Sequence, residues 1–322
     1  MRILIVTPAG TGDIAGNGVT AQRWAQIARD LGHQAVIRDR FEPTRDDPDV
    51  LLALHAGKSE ASVRAFHSTH ATRPIVVALT GTDLYPSLAE TGVDPFVLEV
   101  ASRLVVLQRA ALDQLPPHLI GRTDVIEQSA PPITGDRQTG EHFQVAVLSH
   151  LREVKDPLLT AEAVRLLPVE LAVGVVHVGA AYDADLARRA EHENATNPRY
   201  RWRGPVPRHE ALHLLATSQL LVLSSRHEGG ANVVSEALAA NVPILASRIP
   251  GSVGLLGNEY GGYFTAGSAA GLARLLHRAA TEPAYLEQLR RQCVTCRSLI
   301  DPDRERLAWR TLFAKFTAAL SS

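Results

Sequence analysis

The sequence predicts an α/β protein made of two successive doubly wound parallel sheets. Short apolar runs alternate with amphipathic stretches along the chain, which is the pattern of parallel strands joined by crossover helices. The alternation stops after Ala130-Pro131-Pro132, where residues 134–141 are polar and contain glycine, and it then starts again. With 322 residues, the chain is long enough for two domains that each enclose a core.

Each predicted domain has its own set of strands and helices. Strands are expected at 2–7, 34–38, 50–55, 74–79, 103–107 and 123–126, and then at 143–149, 171–178, 200–203, 220–224 and 243–247. Ala21, Trp24 and Ala28 recur at helical spacing and predict a helix over 19–31, and the amphipathic stretch 303–320 predicts a long terminal helix.

This pattern indicates two facing Rossmann-like domains whose strand ends border one cleft, where the ligands of such sheets bind. We predict an N-terminal domain at 1–138, a C-terminal domain at 139–302, and a helix at 303–322 that packs back toward the N-terminal domain. The N-terminal domain is expected to serve the acceptor of a reaction and the C-terminal domain its donor.

Charge and composition exclude several classes of partner. The formal net charge is −1, so no overall basic field would collect nucleic acid or bind an anionic membrane. No apolar run reaches the roughly 20 residues that span a bilayer, and the opening run is too short for a signal peptide. Cys293 and Cys296 form a C-x-x-C with no second pair for zinc. We therefore predict a cytoplasmic protein with two reduced thiols, and leave its oligomeric state open.

The stretch SSRHEGGANVVSEAL, residues 224–238, carries the strongest chemical signal. A strand ends, Gly229-Gly230 make a turn, and a helix begins, so free backbone N–H groups there can hold an anion. Glu228 lies in the loop, and Glu236 lies off the core face of the helix and points back toward the anion. Two carboxylates beside an anion site indicate contacts with sugar hydroxyls. The alternative is that Glu228 is an ordinary surface residue and that Glu236 is favoured near the helix start by the helix dipole.

The same stretch resembles the E-x7-E signature of GT-B glycosyltransferases of the glycosyltransferase 4 group. That resemblance implies that Glu236 binds the ribose of a nucleotide-sugar and that Glu228 contacts the donor sugar. Residues 148–156 resemble the family's GRLxxxKG loop, whose Arg and Lys hold the pyrophosphate. Lys155 matches directly, whereas His150 stands at the usual Arg, so we expect Arg152 to take that role.

Other segments resemble the family in the expected order. Residues 203–206 resemble its base-binding turn, and Gly16-Asn17-Gly18 its glycine loop. Residues 80–83 resemble the HGTD of relatives that use UDP-N-acetylglucosamine, with Thr80 in place of the His. We expect Asp83 to orient an acceptor or donor hydroxyl, with a loop cap as the alternative. His55, at the end of the third strand, is expected to point into the same cleft.

A narrower resemblance covers nearly the whole chain. The segments GNGVTAQRWAQIARDLGH, LLALHAGKS, VVALTGTDLY, LREVKDP and EGGANVVSEALAANVPILASRIPGSVG are similar to the selenosugar synthases of selenoneine biosynthesis. This implies that UDP-N-acetylglucosamine, a substrate and not a cofactor, gives its sugar to the selenium of selenophosphate and forms a 1-selenosugar. Arg152, Arg226 and the amides of residues 16–18 are expected to help hold the anionic acceptor.

The expected site therefore has three groups of residues. They are catalytic Glu228, Lys155, Arg152 and Asp83; donor-binding Gly16, Asn17, Gly18, Arg203, Val206, Arg226, Gly229, Gly230, Ala231, Asn232 and Glu236; and acceptor-side His55, Thr80 and Thr82. No metal is expected, because the D-x-D at Asp183-Ala184-Asp185 lies at a predicted helix start, where acids are favoured by the helix dipole.

Two other functions remain open from the sequence. An NAD-dependent oxidoreductase would use Gly10, Gly12 and Gly16 with Asp39, but it leaves the Glu228–Glu236 stretch unexplained. A non-catalytic glycosyltransferase-like subunit would keep the fold and lose the donor chemistry. The stereochemistry of transfer and the exact hexosamine also stay open.

Overall fold

A computed structural model describes residues 1–7, 16–135 and 142–320 of the chain, the last four of these by backbone alone. Within these residues the strands form two parallel six-stranded sheets. The strands are β1 (Arg2–Val6), β2 (Gln34–Arg38), β3 (Val50–Leu54), β4 (Ile75–Leu79), β5 (Arg103–Val106), β6 (Thr123–Val125), β7 (Phe143–Leu148), β8 (Val173–Val178), β9 (Tyr200–Trp202), β10 (Leu220–Leu223), β11 (Ile244–Ser247) and β12 (Tyr263–Phe264).

Helices connect most of the strands. They are α1 (Gly16–Asp30), α2 (Glu60–Thr69), α3 (Pro95–Glu99), α4 (Pro117–Ile120), α5 (Leu159–Arg165), α6 (Ala184–Thr196), α7 (Arg208–Thr217), α8 (Asn232–Ala239), α9 (Pro250–Leu256), α10 (Ala269–Thr281), α11 (Pro283–Thr295) and α12 (Pro302–Leu320). None of the described helices is both long and apolar enough to cross a membrane.

The chain forms two compact units, and the first combines three segments: Met1–Ser129, Glu228–Asn232 and Asp301–Ser322. Its sheet has the order β2-β1-β3-β4-β5-β6. Every residue of β3 and β4 is buried, because both faces of the sheet are covered and the strands are continuously apolar. On one face, Trp309 of α12 packs edge-on against Trp24 of α1 with 4.7 Å between ring centroids. The terminal helix is thus part of the core of this unit.

The second unit consists of Ala130–His227 and Val233–Ile300. Its sheet has the order β12-β11-β10-β7-β8-β9. The boundary between the two units falls within α8, because Asn232 groups with the first unit and the rest of the helix with the second.

The prediction of two doubly wound α/β sheets is confirmed, and the predicted strands agree with the structure to within one or two residues at each end. One strand was missed: β12 has two residues, Tyr263–Phe264, too few to produce a recognisable pattern. The first helix begins at Gly16 and not at Val19, because its glycine-rich first turn lacks the apolar spacing that marks a helix. Most of the expected linker, residues 136–141, lies outside the described residues.

Candidate active site

In the second unit, the topology creates a crevice between β7 and β10. These strands are neighbours, and the chain continues from β7 to β8 and β9 on one side and from β10 to β11 and β12 on the other. Loops leave such a point in opposite directions, so ligands of open parallel sheets bind at the carboxyl ends of the two strands. The loop after β7 carries Arg152 and Lys155, and the segment after β10 carries Arg226.

Hydrogen bonds join these two segments. The backbone N–H of Arg226 donates to the carbonyl of Val154 over 2.8 Å. The hydroxyl of Ser224 lies 3.0 and 2.9 Å from the carbonyl oxygens of Lys155 and Asp156. The Arg226 guanidinium lies 3.0 Å from the Asp156 carboxylate, which offsets part of its charge. The loop predicted to bind the pyrophosphate and the segment that carries Arg226 therefore lie side by side.

The turn after β7 rests on a buried histidine. Nε2 of His177 lies 2.8 Å from the carbonyl of Ser149, and Nδ1 lies 2.7 Å from the hydroxyl of Tyr200. Since a carbonyl only accepts, Nε2 carries the proton and Nδ1 accepts from Tyr200. Burial lowers the pKa of His177 to about 4, so the ring is neutral at neutral pH. A Cβ at Gly179 would lie 2.0 Å from the Ser149 oxygen, so the backbone after β8 also packs directly on this turn.

His150, which stands where the family pattern has an arginine, contacts the segment after β8. Its Nδ1 accepts from the backbone N–H of Ala180 over 3.0 Å, and its ring packs edge-on against Tyr182. The ring thus fixes the backbone after β8. Arg152 and Lys155, at either end of the 3₁₀ turn that follows, are half-buried.

Glu236 lies in the second turn of α8 and is nearly buried. Its Oε1 lies 2.6 Å from Nη2 of Arg208, the first residue of α7. Arg208 comes directly after the turn that contains Arg203 and Val206, which the sequence analysis assigned to the base. Arg203 itself is exposed, 3.9 Å from Glu210. Arg208 was not predicted as a site residue, because an arginine at the exposed start of a helix carries no signal of its own.

In the first unit, the glycines of the Glu228–Asn232 loop pack directly on the ends of two strands. A Cβ at Gly229 would lie 2.4 Å from the carbonyl carbon and oxygen of Thr80, just after β4. A Cβ at Gly230 would lie 2.6 Å from Cβ of Leu107, just after β5. Glycine is required at both positions because the loop backbone approaches the sheet so closely. The neighbouring Glu228 and Ala231 are both buried.

Asn232 ties the same loop to α1, and its contact with the donor stays a prediction. Its Oδ1 accepts from Nη1 of Arg23 over 3.0 Å, and its Nδ2 donates to the carbonyl of Gly16 and the hydroxyl of Thr20. Both polar atoms of the Asn232 amide thus hold the loop against α1. Gly16, Asn17 and Gly18 form the first turn of α1, where Gly16 is exposed and Gly18 is buried.

Arg23 stands at the centre of a network of buried and partly buried side chains, which no local sequence pattern predicts. It pairs with Oε2 of Glu305 from α12 over 3.1 Å and donates to Oε1 of Gln128. Glu305 also accepts from Nε1 of Trp24 and the backbone N–H of Ser129. Nε2 of Gln128 donates to the carbonyl of Gly230 over 2.6 Å. The network therefore connects the terminal helix to the glycine loop.

Asp83 holds the loops that follow β3 and β4. Its side chain is fully buried and accepts from the backbone N–H groups of Ala56, Thr80 and Gly81 at 2.8, 2.9 and 2.8 Å. These bonds fit the alternative role, a cap that fixes the loops after β3 and β4. A contact of Asp83 with a substrate hydroxyl stays a prediction.

His55 adopts a left-handed backbone conformation (φ 68°) directly after β3. Its Nδ1 accepts from the backbone N–H of Lys58, so Nε2 carries the proton and donates to the hydroxyl of Thr82 over 2.9 Å. His55 and exposed Thr82 thus form a pair at the carboxyl edge of the first sheet.

The remaining motifs have structural explanations. Asp183 caps α6 by accepting from the backbone N–H of Leu186, which confirms the predicted helix start. Cys293 lies on α11 and Cys296 just after it as free thiols, and burial raises the pKa of both, that of Cys293 to about 11. Among the described residues, no group of three or more His, Cys, Asp or Glu side chains could hold a metal ion.

The residues of the alternative oxidoreductase site are only partly described. Asp39 is exposed after β2, whereas Gly10 and Gly12 lie outside the described residues.

The fold is that of the GT-B glycosyltransferases. The chain is similar to HepE of Anabaena in complex with UDP and glucose, with a TM-score of 0.77 and 16% identity over 98% of this chain and 100% of that one. For HepE with UDP-glucose the TM-score is 0.75, at 15% identity over 98% and 100% of the two chains. Sucrose-phosphate synthase of Thermosynechococcus elongatus is similar with a TM-score of 0.77, at 14% identity over 99% and 100%.

A family match covers part of the chain. Residues 136–294 match the model of the family "Glycosyl transferases group 1". The matched segment contains Arg152, Lys155, Arg208, Glu228 and Glu236.

Proposed function

We propose that the protein transfers N-acetylglucosamine from UDP-N-acetylglucosamine to the selenium of selenophosphate. The observation that carries the donor site is the hydrogen-bonded pairing of the loop after β7 with the segment after β10, at the switch point of the second sheet. The complexes of HepE with UDP and UDP-glucose support a UDP-linked donor. The N-acetylhexosamine and the selenium acceptor are supported by the sequence resemblance.

In this proposal the nucleotide belongs to the second unit. Lys155 and Arg152 bind the diphosphate and stabilise its charge as it departs, which is electrostatic catalysis. Glu236 accepts from the ribose hydroxyls, and the turn at 203–206 binds the base. Arg226 contributes less charge than the sequence suggests, because Asp156 lies 3.0 Å from it.

Glu228 contacts the donor sugar in the proposed reaction. A hydroxyl of the sugar donates to its carboxylate, and the packing of Gly229 against Thr80 holds the loop in place for this contact. This contact holds the sugar so that its anomeric carbon is oriented toward the acceptor.

The proposed chemistry balances without an added base. Selenium of selenophosphate is already anionic and bonds to the anomeric carbon as the bond from that carbon to the UDP oxygen breaks. UDP leaves with the electron pair, and hydrolysis of the Se–P bond in the product then releases phosphate and the 1-selenosugar. A nucleophile of this kind fits a site in which Asp83 is fully used by backbone N–H groups.

The test is UDP release from UDP-N-acetylglucosamine with and without selenophosphate, with UDP-glucose as the competing donor. We expect selenophosphate-dependent release that falls about 100-fold in Glu228→Ala. Glu287→Ala, which removes an exposed glutamate of α11, is the matched control and should behave as wild type. UDP release with another acceptor but not with selenophosphate would contradict the proposed selenium acceptor. A preference for UDP-glucose would contradict N-acetylglucosamine as the transferred sugar.

A further inference from the structure

Glu236 and Arg208 form an unequal ion pair. The Glu236 side chain is 8% exposed, whereas Arg208 is 46% exposed, and the atoms in contact are 2.6 Å apart. Within the part of the chain that the structure describes, Arg208 is the one side chain that pairs with this carboxylate. A carboxylate removed from water needs such a partner, since an unpaired buried charge is costly.

The position of Arg208 is fixed by the start of α7. The N–H groups of Glu210 and Ala211 donate to the carbonyl of Pro207, so the helix begins directly at Arg208. The turn at residues 203–206, which is predicted to bind the base, ends one residue before Pro207. Arg208 therefore links the turn for the base to the carboxylate for the ribose.

The ion pair with Arg208 leaves Glu236 able to accept further hydrogen bonds. A carboxylate has two oxygens and about four acceptor sites, and Arg208 contacts Oε1. Two hydroxyls on one face of a ribose can donate to the remaining sites. An arginine on one oxygen fixes the side-chain torsions, so less conformational entropy is lost when the nucleotide binds.

We propose that Arg208 is a positioning residue for the donor: it orients the Glu236 carboxylate toward the ribose hydroxyls and thereby sets the preference for a ribonucleotide. The inference rests on the proposed function, in which Glu236 binds ribose. Arg208 should therefore change the affinity for a nucleotide only when the nucleotide carries ribose hydroxyls, whatever its phosphates are.

The experiment compares the Kd of UDP with that of 2′,3′-dideoxy-UDP by calorimetry, for wild type and Arg208→Ala. Arg208→Ala should weaken UDP about tenfold and dideoxy-UDP less than twofold, because only UDP uses the oriented carboxylate. Combining Arg208→Ala with Glu236→Gln should weaken UDP little more than Glu236→Gln alone, since the two residues act as one unit. Arg208→Lys should restore part of the UDP affinity.

Arg188→Ala is the matched control, because Arg188 is an exposed arginine near the start of α6 that pairs with Asp185. If Arg208→Ala weakens the binding of both nucleotides equally, Arg208 acts as a cation that binds the phosphates, and the inference is overturned. If the variant weakens the binding of neither nucleotide, the inference is overturned as well. An unfolded Arg208→Ala variant would be replaced by Arg208→Gln in the same comparison. If wild type binds UDP and the UDP affinity is insensitive to Glu236→Gln, the ribose contact of Glu236 and this inference fail together, while the proposed transfer from UDP-N-acetylglucosamine stands. If wild type binds no UDP, the proposed function fails and the inference with it.

Discussion

The two glutamates of the E-x7-E stretch are supported in different ways. Glu228 belongs to a loop of the first unit, which is held by backbone packing at Gly229 and by a side-chain network around Arg23. Glu236 lies on a helix of the second unit and is held by Arg208. One local sequence pattern thus depends on many contacts at one end and on a single ion pair at the other. Substitutions in the contacts that support Glu228 should therefore lower the stability of the fold, whereas substitution of Arg208, which supports Glu236, should mainly weaken nucleotide binding.

The largest effect is expected from Arg23→Ala. This change leaves the Glu305 carboxylate buried without its cation and removes the donor to Asn232. Breaking one side of a buried pair costs about 3 kcal/mol or more. Urea unfolding at pH 7 should show this loss. The double variant Arg23→Ala/Glu305→Gln should lose less than Arg23→Ala alone, because no charge stays unpaired. A loss below about 1 kcal/mol for Arg23→Ala would show that the loop does not depend on the network.

Gly229→Ala should have a smaller effect on stability and a large one on transfer. The added Cβ would lie 2.4 Å from the carbonyl carbon and oxygen of Thr80, where backbone must move to admit it. Overpacking of this kind costs about 2 kcal/mol, and the shift displaces Glu228, so kcat should fall with it. Thermal unfolding and UDP release measure the two effects. Gly121→Ala is the control in the same unit, because a Cβ there meets no atom within 4 Å. Equal behaviour of the two variants would contradict the close approach.

The fold was predictable because its signals are local. The residues of β3 and β4 are continuously apolar, since both faces of the sheet are covered, and such runs stand out in a sequence. The glycine-rich stretch at 228–236 was visible for the same reason. β12, with two residues, is too short to stand out.

The supports of the site were not predictable, because they join residues far apart in sequence. Arg23 meets Glu305, and Arg208 meets Glu236, with no spacing rule that relates them. Asp83 shows a second limit. A loop aspartate can serve a ligand or backbone N–H groups with the same sequence, and only the structure shows that three N–H groups use it.

The smallest effect concerns pH and tests a support of the second unit that involves no glutamate. His177 has a folded-state pKa of about 4, below its ordinary value of about 6.5, because burial disfavours the charged ring. As pH falls below about 6.5, the unfolded chain takes up this proton and the folded protein does not. The contribution of His177 to stability is thus complete at high pH and declines as pH falls toward 4. Between pH 8 and pH 6 it should decline by about 1 kcal/mol. His177→Gln can still donate to Ser149 and accept from Tyr200 but does not titrate, so its unfolding free energy should change less over this range by that amount. An identical pH dependence in the two proteins would mean that the pKa of His177 is the same in the folded and unfolded chain, and would contradict the burial of a neutral ring beneath the turn that carries Arg152 and Lys155.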